Sequence, residues 1–186
     1  MARMVRADPT PESRRRWLNI VLLLGASVLF GAAVLPRLQP AAAKLRGMDA
    51  PDFALPVVYG GLPDSRMRLS DLRGKAVVLD FWASWCGVCR AQAPILDGVA
   101  RRFQAEDVVV IGVNTGDRPD QAVAFARGRS LSYASVLDDG SVAAAYRANA
   151  LPTLVVVSRT GKIAEVRQGL VRAAELERLL RSVLSS

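Results

Sequence analysis

A pair of cysteines constrains this 186-residue chain more than any other feature. Cys86 and Cys89 are its only cysteines, and they directly follow the apolar run Ala76–Trp82, where a strand is expected to give way to a helix. A thiol at a helix N-terminus has a lowered pKa, because unpaired N–H groups and the helix dipole favour negative charge there. We therefore predict a redox pair in which Cys86 is the attacking thiol and Cys89 resolves the mixed disulfide.

Other uses of two cysteines fit this sequence less well. A structural zinc site needs about four nitrogen or sulfur ligands, and the chain has no histidine. Covalent haem attachment needs a histidine after the second cysteine, where Arg90 stands, and a cysteine–histidine dyad fails for the same lack of histidine. A purely structural disulfide stays open, although closing so short a loop removes little chain entropy. We predict no metal and no other cofactor.

An uncharged stretch of 19 residues, Trp17–Leu35, precedes the part of the chain that carries the cysteines. A membrane-spanning helix needs about 20 mainly apolar residues. Five arginines lie before the stretch against two acids, so the positive-inside rule keeps the N-terminus in the cytoplasm. We predict a cytoplasmic tail 1–16, a transmembrane signal-anchor 17–36, a tether 37–46 and a domain 47–186 on the outer, periplasmic side of the cytoplasmic membrane.

A cleaved export signal is the alternative to an anchor. The small residues Ala41–Ala43 have the pattern that a signal peptidase requires, and cleavage there would release an exported soluble domain. The apolar run is longer than the 7–15 residues of a usual signal core, which favours the anchor. Either way the domain reaches a compartment in which disulfides form.

The net charge of +8 does not indicate a nucleic-acid partner. Residues 1–43 contain six arginines and two acids, and the rest of the chain contains nineteen basic and fifteen acidic residues. The basic residues of the domain are scattered along the sequence, whereas phosphate binding needs a clustered patch. We expect a mixed, solvated surface and a monomer.

Strands and helices alternate along the domain. Apolar runs at 76–81, 108–113 and 153–157 predict buried strands, with further strands at 133–137 and 162–167. Helices are predicted at 87–104, from 117 to about 128, at 141–147 and from about 172 onwards. A turn cluster at 59–64 predicts an N-terminal hairpin, and 70–75 is expected to be a loop. The pattern predicts an α/β fold with helices on both faces of a sheet.

Two segments resemble the thioredoxin superfamily. They are Asp80–Cys89 followed by Pro94, and Leu151–Thr153 ahead of an apolar strand. The resemblance implies a central mixed sheet in the thioredoxin fold, with Pro152 in cis and facing the cysteine pair. It also implies that the active-site helix contains a proline, at Pro94.

A narrower resemblance is to the membrane-anchored TlpA/ResA-type thiol–disulfide oxidoreductases. It rests on the N-terminal anchor, on the segments Ala50–Phe53 and Leu69–Lys75, and on the long segment between Asn114 and Pro152. This resemblance implies an N-terminal β-hairpin and an inserted helix–strand unit within the thioredoxin fold.

The resemblance also implies a substrate-binding surface around the cysteines. A cis peptide before Pro152 would leave the backbone of Leu151 free to pair with an extended substrate segment. Trp85 is expected to shield one side of Cys86 and to offer an apolar contact, unless it belongs to the core. The predicted substrate-binding residues are Trp85, Gly87, Val88, Leu151, Pro152 and Thr153.

Asp80 is the most chemically informative neighbour of the pair. A carboxyl on a buried strand, six residues before Cys86, is expected to lie under the disulfide with its pKa raised by desolvation. It could then accept the proton of Cys89 during resolution. The residues 109–113 include no lysine that would compensate its charge. The alternative is an aspartate that caps nearby backbone N–H groups.

These features lead to a protein-disulfide reductase as the expected function. The resemblance implies exported proteins as substrates, with apocytochrome c in cytochrome maturation among them, and a membrane thiol donor of the DsbD or CcdA kind. A disulfide oxidase or isomerase would use the same residues, because direction depends on reduction potential. A peroxiredoxin-type peroxidase would have threonine or serine at position 83 and proline at position 79, where this chain has Ala83 and Leu79. A thiol-based copper chaperone would have two cysteines as ligands, without histidine and with few methionines nearby.

Overall fold

The computed structural model describes residues 11–34, 44–62 and 64–185. The chain divides into two compact units, Met1–Pro40 and Ala41–Ser186, and each is described by itself. Most of the predicted cytoplasmic tail, most of the predicted tether and the alternative cleavage site near residue 43 lie outside the described residues.

The first unit contains one helix among its described residues, α1 (Pro11–Val34). It includes nearly all of the uncharged stretch. Within the described ranges, no helix is long and apolar enough to cross a membrane. The membrane-spanning segment predicted at 17–36 is therefore not confirmed.

The second unit is built on a mixed sheet in which seven strands are described. They are β1 (Ala54–Tyr59), β2 (Arg66–Arg68), β3 (Ala76–Trp82), β4 (Val108–Thr115), β5 (Ala134–Asp138), β6 (Thr153–Val157) and β7 (Ile163–Gln168). Their order across the sheet is β2-β1-β5-β4-β3-β6-β7. β3, β4 and β5 run parallel, and the remaining neighbours pair antiparallel. Every residue of β3 is buried, as expected for a central strand whose two faces are both covered.

Helices cover both faces of this sheet, as predicted. Three of them share one apolar core with the side of the sheet that carries Val78 and Val110. The fourth packs on the opposite side, where the Tyr146 ring lies 5.5 Å from that of Phe81. The first three are α2 (Gly87–Arg102), α3 (Pro119–Gly128) and α5 (Ala173–Leu184), and the fourth is α4 (Ser141–Ala145).

The predicted loop at 70–75 is wrong in part, because Leu69–Leu72 forms a 3₁₀ helix. A contact distant in sequence stabilises it: the Ser70 N–H donates to Asp52 Oδ1 at 2.9 Å, and the Leu69 N–H donates to the Phe53 carbonyl at 3.1 Å. Propensity within the segment could not reveal these partners. Packing of the second unit also begins before the predicted start at residue 47, since Leu45 is buried.

Candidate active site

The cysteine pair lies at the carboxyl end of β3, where the chain turns into α2. Cys86 is the N-cap of α2, and it forms a disulfide with Cys89 across a Cα–Cα distance of 5.2 Å. The Cys89 N–H donates a hydrogen bond to Cys86 Sγ at 3.1 Å. Cys86 is the more accessible of the two, at 7% exposed against 1% for Cys89. The first turn of the helix therefore directs an N–H group at the outer sulfur.

Asp80 lies in the middle of β3, on the face of the sheet that α2 covers. Its neighbours in sequence on that face, Val78 and Trp82, share one core with both cysteines. The Asp80 carboxyl is 2% exposed, and its Oδ1 has no hydrogen-bond partner among the described residues. Burial raises the pKa of Asp80 to about 7 from its ordinary 3.8, because the charged form loses its hydration. In the part of the chain that the structure describes, no backbone N–H donates to the Asp80 carboxyl, so these residues do not support the alternative of a capping aspartate.

A glycine stands directly across from this carboxyl. Asp80 pairs with Gly112 of the parallel strand β4. A Cβ at Gly112 would lie 2.8 Å from both Ser135 Oγ and Trp82 Nε1, so those two groups occupy the space of a side chain. The Trp82 indole N–H donates to Ser135 Oγ at 3.2 Å. The position nearest Asp80 on β4 therefore has no room for a cationic side chain that would favour its ionised form.

The proline predicted to face the cysteines does follow a cis peptide bond, between Leu151 and Pro152. Thr153, the next residue, pairs with Phe81 near the end of β3, which brings this turn beside the active-site loop. The Thr153 hydroxyl donates to the Ala150 carbonyl at 2.6 Å. Among the described residues the N–H and C=O groups of Leu151 have no hydrogen-bond partner, so they are available to an extended peptide.

The residues beside the cysteines form an apolar rim. Trp85 is 66% exposed and Val88 is 48% exposed. The alternative in which Trp85 belongs to the core is therefore wrong. Gly87 begins α2 and adds no side chain above the disulfide. The structure thus brings the predicted substrate-binding residues together at one end of the sheet.

Polar residues that the sequence did not single out also reach this loop. Asp117 accepts hydrogen bonds from Ser84, and Arg90 donates to the Ser84 carbonyl. Asp117 comes shortly after the polar end of an apolar strand, and side chains at the carboxyl ends of neighbouring parallel strands meet at one edge. That signal could have identified it. Within the described residues, no three His, Cys, Asp or Glu side chains are grouped to hold a metal ion.

A disulfide at the start of a helix, beside a cis proline in a sheet of this topology, defines a thioredoxin-like thiol–disulfide oxidoreductase. Comparison with known proteins agrees with this class. Residues 47–166 match the AhpC/TSA family. The chain belongs to this family, and it is a thiol–disulfide oxidoreductase.

Three known proteins show the extent of the similarity. The thiol-disulfide oxidoreductase ResA of Bacillus subtilis (strain 168) is 34% identical over 124 residues, which are 66% of this chain and 67% of the relative. A crystal structure from Chlorobium tepidum, provisionally assigned as the thiol:disulfide interchange protein DsbE, is 31% identical with a TM-score of 0.68, covering 75% of this chain and 97% of the other. A solution structure from Bacteroides thetaiotaomicron, provisionally assigned as a protein disulfide isomerase, is 30% identical with a TM-score of 0.66, covering 76% and 91%.

Proposed function

We propose that this protein reduces disulfides in exported proteins, with Cys86 as the attacking thiol and Cys89 as the resolving thiol. The observation that carries the direction is Asp80, a buried carboxyl with no cation opposite it on β4. An ionised carboxylate on the same face as the cysteines disfavours a second negative charge there. It therefore disfavours the reduced, thiolate form of the pair. A dithiol whose reduced form is disfavoured is a stronger reductant.

The exchange proceeds in two steps. The Cys86 thiolate attacks one sulfur of the substrate disulfide, forming a mixed disulfide and releasing the other substrate sulfur as a thiolate. Cys89 then transfers its proton to Asp80 and attacks Cys86 Sγ. This second step breaks the mixed disulfide, releases the second substrate thiolate and leaves the Cys86–Cys89 disulfide. Two electrons have passed from the protein to the substrate.

The rim around the disulfide supports a polypeptide as substrate. Trp85 and Val88 offer exposed apolar contacts, and the free backbone groups of Leu151 can pair with an extended segment. Backbone pairing is indifferent to side-chain identity, so it suits a reductant that acts on several proteins. The resemblance to ResA-type oxidoreductases makes apocytochrome c one proposed substrate of this kind.

The proposed compartment is the outer side of the cytoplasmic membrane. The sequence supports it with the uncharged stretch Trp17–Leu35 and the arginines that precede it. A reductant in that compartment needs electrons from across the membrane, so a membrane thiol donor of the DsbD or CcdA kind is part of the proposal. Fractionation of cells that express the full chain, with protease added outside the cytoplasmic membrane, tests the placement.

Measuring the reduction potential tests the direction. The protein is equilibrated in dithiothreitol and glutathione buffers, and Trp fluorescence reports the fraction reduced, because Trp85 directly precedes Cys86 and Trp82 shares one core with both cysteines. We expect a potential below about −180 mV, the value typical of protein disulfide isomerase. A potential well above about −180 mV, towards the value of about −120 mV for a strong oxidant such as DsbA, would contradict the proposed direction of electron flow.

Trapping in cells tests the two roles. A Cys89→Ala variant should hold its substrates as mixed disulfides through Cys86, because the resolving thiol is missing. The matched control is Cys86→Ala, which retains one thiol at the buried position and should capture nothing. Capture by Cys86→Ala alone would reverse the assignment.

An oxidase or isomerase is the second candidate. The hydrogen bond from the Cys89 N–H to Cys86 Sγ favours it, because a donor on that sulfur stabilises the thiolate of the reduced form. The same potential measurement distinguishes the two candidates. Renaturation of a scrambled disulfide protein, with insulin reduction as the opposing assay, provides a second comparison.

A further inference from the structure

A half-buried carboxylate in the loop after β4, that of Asp117, is hydrogen-bonded to the active-site loop. One oxygen of Asp117 accepts hydrogen bonds from the Ser84 N–H at 2.6 Å and from Asn114 Nδ2 at 2.7 Å. The other oxygen accepts one from the Ser84 hydroxyl at 2.9 Å. Two of these three bonds join the loop after β4 to the loop after β3, which carries the cysteines.

Ser84 is also held from the opposite side, by α2. The Arg90 guanidinium donates to the Ser84 carbonyl through Nε at 3.2 Å and through Nη2 at 3.1 Å. The Cys86 N–H donates to the Ala83 carbonyl at 3.2 Å, which closes a tight turn around Ser84. The backbone N–H and C=O of Ser84 are therefore both fixed by charged side chains. Cys86 follows two residues later.

The loop that carries Asp117 also borders the exposed tryptophan. Gly116 has a left-handed φ of +82°, and a Cβ on it would lie 3.9 Å from Trp85 Cζ2. The segment Gly116–Asp117 therefore borders the active-site loop at Ser84 and at Trp85.

We propose that Asp117 is a positioning residue for thiol–disulfide exchange, acting through Ser84 to hold Cys86 Sγ at the start of α2. The N–H of Cys89 reaches that sulfur only while the loop keeps its place. A misplacement of about 1 Å at a reacting group can cost about a hundredfold in rate. The proposal rests on the exchange activity and is independent of the direction in which electrons flow.

Alkylation of the reduced protein tests this role, because it measures Cys86 as a nucleophile without any redox partner. Iodoacetamide is added to Asp117→Ala and Asp117→Asn across a range of pH. We expect the alanine variant to react about 10–100-fold more slowly than the native protein. The asparagine variant keeps one acceptor oxygen, so we expect a loss of about threefold to tenfold. The matched control is Asp120→Asn, an exposed carboxylate paired with Arg118, which should stay within about twofold.

A double-mutant cycle separates positioning from general stabilisation of the fold. Ser84→Ala removes only the hydroxyl, and Asp117→Asn should have a smaller effect in that background because the hydrogen bond between the hydroxyl and the carboxylate is already lost. Circular dichroism and thermal unfolding of every variant report the fold. If Asp117→Asn lowers the unfolding temperature but leaves the alkylation rate and its pH profile unchanged, Asp117 is merely structural. Faster alkylation in Asp117→Asn would also overturn the proposal, since it would show that the charge of Asp117, not its bonds, affects Cys86.

Discussion

Replacing Asp80 by asparagine should remove a large pH dependence of stability. The folded protein holds the pKa of Asp80 at about 7, above the ordinary 3.8 that applies when the chain is unfolded. Well below pH 3.8 both states carry the proton, and this group does not weaken the fold. As the pH rises towards 7 the unfolded state loses its proton first, so stability falls. The difference corresponds to about 4 kcal/mol in the free energy of unfolding, reached above pH 7.

Urea unfolding of the oxidised protein at pH 4.5, 6, 7.5 and 8.5 measures this effect. The amide of Asp80→Asn fills the same space but does not ionise. Its buried donors carry a constant cost, so the informative quantity is how the difference between the two proteins changes with pH. We expect the native protein to lose about 3 kcal/mol relative to the variant between pH 4.5 and pH 8.5, because the unfolded chain is already largely ionised at pH 4.5. Parallel stability curves for the two proteins would refute the reasoning, because they would show that Asp80 titrates alike in both states.

Three further changes test the packing and the rim. Trp85→Ala should raise KM for a protein disulfide while the rate with a small aromatic disulfide stays within about twofold, because the exposed indole contacts substrate and adds little stability. Gly112→Ala should lower the free energy of unfolding by about 1–3 kcal/mol in urea titration, since its Cβ would crowd the Trp82 indole. Gln92→Leu should cost about 1–3 kcal/mol by the same measurement, because it leaves the Val171 N–H and C=O without their buried partner.

Controls for these changes come from the same chain. Val88→Ala, at an exposed apolar position next to the disulfide, should affect KM less than Trp85→Ala because it removes less contact area. Gly98→Ala is the control for Gly112, since nothing lies within 4 Å of a Cβ there. Equal destabilisation by the two glycine substitutions would show that crowding at Trp82 is not the cause.

The sequence was most informative where the signal is local. The apolar run at 153–157 coincides with β6, and the helix expected from about 172 begins at Ala173. Periodicity and turn residues are properties of neighbouring residues, so they can be read along the chain. The 3₁₀ helix at Leu69–Leu72 could not be predicted in this way, because the N–H groups of Leu69 and Ser70 donate hydrogen bonds to residues 53 and 52, which are distant in sequence.

By itself the sequence determined the chemistry and the fold class: two cysteines at a helix start, a buried aspartate before them and a proline ahead of a strand. The tertiary structure alone decided the environment of those groups. Placing Gly112 across from Asp80, and filling its space with Ser135 and Trp82, requires the pairing of strands distant in sequence. The same holds for Asp117 and Ser84, which are 33 residues apart. A carboxyl's pKa and a sulfur's position depend on neighbours in space, and the fold supplies those neighbours.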